Sequence, residues 1–263
     1  MMFRVVGKYA AFVRLSMAHA NRERGEIYGR AVFFVVILGV FSSLWHAVAQ
    51  GGMPVAGDPK SLVWYLASTE WIVLSVPQVH LEMQEAIRRG DVVYQLGRPA
   101  SYVAAELAAS LGVLAARAPI LGLTAFVCAF AFSRWIPPVH ALAMVVLLGF
   151  AAAALLTALN VWIGLLAFWL QDVSPVYWVW QKLMFILGGM MLPLALYPDL
   201  VQKIAALTPF PTLVAGPASF VLQSRLFGAG ALVLRLMIWS AVTGAMLHWT
   251  FRRATKALTL NGG

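Results

Sequence analysis

Six mostly apolar runs recur along the chain, at about 31–49, 61–79, 104–132, 139–170, 179–196 and 229–251. A helix needs roughly twenty such residues to cross the ~30 Å hydrocarbon core of a bilayer. No water is present there to satisfy backbone N–H and C=O groups, so the chain must close its own hydrogen bonds, which selects helices. The composition agrees: 62% of residues are hydrophobic and 11% are charged, against roughly 45–50% and about 25% in soluble domains. The sequence predicts an all-α integral membrane protein, a single transmembrane domain over residues 1–263 with six transmembrane helices. No length is left for a soluble catalytic domain.

Two segments outside those runs have patterns of their own. Over residues 3–24, Arg4, Lys8, Arg14, His19 and Arg22 gather on one side of a helix. Phe3, Val6, Tyr9, Phe12, Val13 and Met17 gather on the other, with Leu15 out of place. This is the pattern of an N-terminal interfacial amphipathic helix. Residues 197–227 are too apolar for a free loop, yet Pro198, Pro209, Pro211, Gly216 and Pro217 break them. Irregular backbone at membrane depth must be sheltered, so short re-entrant or exterior helices are expected on the bundle's outer face, between the fifth and sixth spans. Ala47-Val48-Ala49 resembles a signal-peptidase site. The charged segment before it is long for a signal, however, and more membrane follows, so the first run reads as a retained span. In the third span, small residues such as Ala105, Ala108, Gly112 and Ala116 let another helix approach closely, and Pro119 predicts a kink.

The net charge of +9 bears on orientation rather than on nucleic acid. Six spans put both termini on one side of the membrane. That side carries thirteen Lys and Arg: Arg4, Lys8, Arg14, Arg22, Arg24, Arg30, Arg88, Arg89, Arg98, Lys182, Arg252, Arg253 and Lys256. The other side carries four: Lys60, Arg134, Lys203 and Arg225. The imbalance places both termini in the cytoplasm.

Arg117 and Arg235 fall within spans, as do Glu70 and Glu106. A charge at the bilayer centre costs about 2.5–3.5 kcal/mol on insertion scales, so it normally faces a partner or water. Glu106 and Arg117 share a helix face but stand about 16 Å apart along the axis. Glu70 and Arg117 lie at comparable depths in adjacent antiparallel spans, which suggests an ion pair between spans two and three. A substrate-path or proton-relay role is the alternative.

Catalytic signatures are missing: there is no G-x-x-x-x-G-K-[ST], no H-E-x-x-H and no G-x-S-x-G. The lone Cys128 excludes an intrachain disulfide and a multi-cysteine metal site. His80-Leu81-Glu82 reads as a solvated helix end rather than a metal site. Trp45, Trp64, Trp135, Trp178, Trp180 and Trp249 fall near span boundaries, as an aromatic belt predicts. Trp162, Trp169 and Tyr177 cluster by the fourth span and its turn, where packing and ligand stacking are both open.

Residues 85–102, EAIRRGDVVYQLGRPASY, form the longest polar interruption between spans. They read as a short charged helix, a break at Gly90-Asp91, an extended Val92-Val93-Tyr94, and a re-entry at Arg98-Pro99. Such a helix, held at the membrane by two spans, either docks a soluble partner or is an ordinary solvated loop.

IRRGDVVYQLGRPASY (Ile87 to Tyr102), supported by LTPFPTLVAGPASFVL (Leu207 to Leu222), resembles the ABC-2-type transporter permeases, the ABC-2 family transporter proteins. The resemblance extends over essentially the whole chain. It implies a membrane subunit of an ABC transporter in the plasma (inner) membrane of a bacterium, exporting an amphiphilic or hydrophobic substrate. It further implies separate ATP-binding subunits that hold ATP and Mg, so that this chain is not itself an enzyme and carries no cofactor. A second permease, identical or related, is implied as well, with membrane lipid around the pair. Residues 82–91 match the family's cytoplasmic coupling helix, which makes Glu82, Glu85, Arg88, Arg89 and Asp91 the candidate ATPase contacts. The rival classes are a non-transporting membrane scaffold or assembly factor, and a membrane-embedded hydrolase that lacks a nucleophile–base pair.

Overall fold

The computed structural model describes residues 2–22, 24–50, 58–97, 100–222 and 228–261. The described residues are helical throughout, without strands. In chain order the helices are α1 (Met2–Ala20), α2 (Arg24–Gln50), α3 (Pro59–Ser75), α4 (Val79–Arg88), α5 (Val92–Leu96) and α6 (Tyr102–Ser133). They continue with α7 (Val139–Leu165), α8 (Ser174–Leu187), α9 (Asp199–Ala206), α10 (Phe210–Leu213), α11 (Ala215–Ala218) and α12 (Ala229–Asn261). Short 3-10 turns occupy Leu166–Phe168, Leu194–Leu196 and Ser219–Val221.

Among the described residues, four helices are long and apolar enough to cross a membrane: α2, α6, α7 with the turn after it, and α12. The expected second and fifth spans are shorter than the sequence suggested. α3 has 17 residues, about 25 Å, and α8 has 14. Pro77 accounts for the first difference, because the residue before a proline is driven out of helical geometry; Val76 is extended, with ψ 131. The second difference arises at Gly188-Gly189, which was expected inside a helix and instead ends α8, Gly189 having φ +63. α2 in turn starts earlier than expected and takes Arg24–Arg30 into its first two turns.

Local sequence sets several other ends. Asp58 caps α3, its carboxylate accepting from the Lys60 N–H at 3.1 Å, with Pro59 in the first turn. α6 closes on Arg134 in the left-handed region at φ 51. α6 runs unbroken through Pro119.

α3 is the centre of the bundle, with twelve of its seventeen residues buried. α2, α6, α7 and α11 surround it. The membrane-length windows of α2 and α12, by contrast, are only 22% buried and face outward. The proline-broken segment does form short helices: α9 is mostly exposed, with only Ala205 buried, whereas α10, α11 and the turn after them pack inward. Phe210, Leu213, Val214, Ala218 and Val221 are buried in the main core. Just after α8, Tyr65 Oη donates to the Gly189 carbonyl and Thr69 Oγ1 to that of Met190, at 2.8 Å for the latter, so the chain leaving α8 leans on the middle of α3. The unfilled carbonyls of a broken chain thus find hydroxyl donors inside the protein.

α1 packs along α6. Tyr9, Phe12 and Val13 are half-buried there, while Met17 and Leu15 are exposed. The small-residue face expected to receive a helix receives this one: at Gly112 the α1 backbone comes so close that a Cβ would lie 2.3 Å from the Val13 carbonyl oxygen. The aromatic belt is only partly present. Trp178 and Trp249 are exposed, but Trp45 and Trp64 are buried, and the Trp64 indole donates to Ser133 Oγ and the Trp135 carbonyl. Arg98, Pro99, Arg225 and the loop glycines Gly51, Gly52 and Gly57 lie outside the described residues.

Candidate docking face on α4

The charged helix runs from Val79 to Arg88, three residues earlier than expected at each end. Its end is a Schellman motif: the Gly90 N–H reaches the Ile87 carbonyl and the Asp91 N–H the Ala86 carbonyl. Gly90 has φ +78, a conformation that glycine adopts without steric cost. Residues 92–94 were expected to be extended but open the five-residue helix α5. The turn at Gly90 resets the chain direction at once, so no extended link is needed.

α4 is sharply two-sided. Val79, His80, Met83 and Gln84 are buried, against α7 and the 166–168 turn. The Gln84 side chain accepts the Val173 N–H at 2.6 Å. Gly164 of α7 forms the floor: a Cβ there would meet Met83 Sδ at 2.7 Å and His80 Cα at 3.2 Å. On the opposite side Glu82, Glu85, Arg88, Arg89 and Asp91, all five candidate contacts, are exposed. Glu85 and Arg89 pair at 2.8 Å, a solvated i,i+4 pair of the kind worth about 0.3–0.5 kcal/mol. In the neighbouring turn Asp172 accepts from the Ser174 N–H at 2.9 Å. The Ser174 hydrogen bonds, with a smaller contribution from Arg88, hold its carboxyl below the usual carboxylate value.

His80 is not a solvated helix end. It is fully buried and stacks on Tyr177, with ring centroids 3.8 Å apart. Burial pushes its imidazole down from 6.5 to about 4. Between those values the unfolded chain binds the extra proton, so stability is intact above pH 6.5 and falls as the pH drops toward about 4. Unfolding temperatures measured over that range are expected to fall by the equivalent of up to about 3 kcal/mol. His80→Phe, which keeps the ring stack, is expected to flatten this part of the profile; an unchanged slope would show that His80 is not its source. The three aromatics expected to cluster have separate environments. Tyr177 stacks on His80, Trp162 donates to Thr250 Oγ1 at 3.0 Å, and Trp169 is exposed.

Behind α4 the chain passes through Pro77, whose carbonyl accepts from Asn160 at 3.4 Å, to the end of α3. There the Arg30 guanidinium donates to the carbonyls of Leu74 and Val76, the latter at 3.2 Å. A cation at a helix C-terminus satisfies carbonyls that lack partners and matches the helix dipole. Arg30 also bonds Glu26 at 2.8 Å, and the other Glu26 oxygen pairs with Arg117 of α6. The expected Glu70–Arg117 pair is therefore replaced by Glu26–Arg117, because α2 brings a carboxylate to that face of α6. Glu70 is buried in the middle of α3 and Glu106 is half-buried on α6. Glu26, Arg30, His80 and Gln84 were missed as site residues. Only the i,i+4 spacing of Glu26 and Arg30 signalled a pair.

No curated protein matches the chain. Residues 68–262 match the family model of the ABC-2 family transporter protein, from the middle of α3 to the end of α12. α1, α2 and the first half of α3 lie outside that match, which is narrower than the sequence resemblance suggested. The matched stretch is most of the chain, and the chain belongs to the ABC-2 family transporter proteins as a permease subunit of an ABC transporter.

Proposed function

We propose that this permease is the membrane half of an exporter for an amphiphilic or hydrophobic substrate, driven by a separate ATPase that docks on α4. The observation that carries this reading is the two-sided build of α4. Five exposed charges of both signs, three on the helix and two at its C-terminal turn, stand opposite a face that is seated on α7 without slack. A seat of that kind passes force on rather than absorbing it, since packed interiors repack between discrete arrangements instead of deforming smoothly. Pro77, Arg30 and Glu26 connect α4 to α3, α2 and α6. In this reading α3 and α8 complete a count of six spans, the short helices α9–α11 are re-entrant on the exterior side, and the charge imbalance keeps α4 and both termini in the cytoplasm. A second permease, identical or related, faces the lipid-exposed sides of α2 and α12. ATP and Mg belong to the ATPase subunits, whose closure pushes α4 and rocks the spans.

The test is reconstitution with the ATPase that co-purifies with the permease. Arg88→Glu with Arg89→Glu is expected to lower substrate-stimulated ATP hydrolysis at least tenfold while the permease still folds and inserts. Full stimulation in that variant would remove α4 as the docking element. Failure of any ATPase to co-purify with the unmutated permease would favour a scaffold or assembly factor.

A further inference from the structure

Arg235 lies six residues into α12, about 9 Å from the start of a helix long enough to cross the membrane. Its side chain is exposed, and among the described residues no carboxylate pairs with it. A guanidinium at membrane depth is costly unless water or an opposite charge meets it. It lines a cavity of about 360 Å³ whose other walls include Tyr65, Leu194, Ser219, Phe220 and Leu232, and among the described residues no Asp or Glu lines it. Three hydroxyls stand on the walls: Tyr65 donates to the Gly189 carbonyl and Ser219 to that of Gly216, while Thr212 is buried. Among the described residues, Arg235 is then the one charged group of the lining, set against mainly apolar walls.

We propose that this cavity binds an anionic amphiphile, with a phosphate or carboxylate head on Arg235 and its tail along Leu194, Phe220 and Leu232. The guanidinium suits that head because its planar N–H groups engage two oxygens at once. The volume falls in the range of small-molecule sites, about 300–1,000 Å³. The assignment names a substrate class for the exporter proposed above and rests on that reading for its role, but the binding itself needs no ATPase.

The test uses the full chain in nanodiscs of neutral lipid, with fluorescent lysophosphatidic acid and lysophosphatidylcholine of the same chain length as probes. The anionic probe is expected to bind at least tenfold more tightly. Arg235→Gln is expected to abolish that preference, and Arg235→Lys to keep part of it. Ala195→Phe, which fills the wall, is expected to weaken both probes without changing the unfolding temperature. Equal affinities in the unmutated chain, or an undiminished preference in Arg235→Gln, would overturn the assignment, as expected if Arg235 merely snorkels to the headgroups. Displacement by inorganic phosphate as effective as by the anionic probe would also overturn it, because the apolar walls would then contribute nothing. A bulk diacyl lipid such as phosphatidylglycerol, competing weakly, identifies a transported single-chain guest; full competition overturns that identity in favour of resident lipid. Loss of coupling in the α4 variant with the binding preference intact would separate this inference from the transport reading.

Discussion

Leucine at Gly112 is expected to detach α1 from α6. The obstacle to any side chain there is backbone, with the Val13 carbonyl oxygen 2.3 Å from the Cβ position and its carbonyl carbon 3.0 Å away. No rotamer change can relieve such a clash. Overpacking a core usually costs about 1–3 kcal/mol, and here the whole of α1 must lift. It would give up the contacts of Tyr9, Phe12 and Val13 and the 3.2 Å bond from the Ser101 N–H to Tyr9 Oη. Even alanine places an atom at the blocked position, so Gly112→Ala should begin the same change. Tryptic cleavage after Lys8 and Arg14 in lipid nanodiscs reads the outcome: at least a tenfold acceleration is expected for leucine, with alanine between it and the unmutated chain. Equal cleavage rates in all three would mean that α1 does not ride on α6.

A comparably large effect is expected at Glu26. Its Arg117 partner is only 9% exposed, whereas Glu26 is 45% exposed. The two truncations are therefore unequal. Removing the carboxylate takes a counter-charge from a largely buried guanidinium, with a loss expected between the ~1 kcal/mol of an exposed pair and the ~3–5 kcal/mol of a fully buried one. Removing the guanidinium leaves a carboxylate that can turn to water and keep Arg30, which it meets at 2.8 Å. Glu26→Met should lower the unfolding temperature more than Arg117→Met, and the double variant should be more stable than the two losses added together. A coupling of about 0.5–3 kcal/mol is expected for groups in contact. Additive losses in a detergent-unfolding cycle would show that the contact carries no stability.

The long elements were legible because lipid enforces them. The apolar run 139–170 has one way to satisfy its backbone at membrane depth, and α7 follows it as far as Leu165, with the Leu166–Phe168 turn after it. What failed was whatever depends on neighbours. Residues 179–196 read as one span since Gly188-Gly189 is compatible with a helix in sequence, yet Gly189 turns to φ +63 and the Gly188 carbonyl accepts from the Ala215 N–H of α11 instead of continuing the helix. His80 looked wet beside Glu82, and only the position of Tyr177 on another helix buries it. The partner of Arg117 was sought in an adjacent span when the nearest carboxylate stood on the first turn of α2, where charges had been counted only for orientation. The exposure of Glu82, Glu85, Arg88, Arg89 and Asp91, by contrast, could be read directly, because a ten-residue amphipathic helix sorts its own faces.

The nearly complete burial of α3 has a mechanical consequence. A helix with a lipid face can slide or tilt while its outer side trades one acyl chain for another. α3 has almost no such side: Leu62 to Ile72 are buried without interruption, and its neighbours are α2, α6, α7 and the α11 segment. It behaves as an axle in a close-fitting bearing. Turning or shifting it by an ångström obliges four other elements to repack together, so rearrangement of this bundle is all-or-none, with few stable stopping points between its end states.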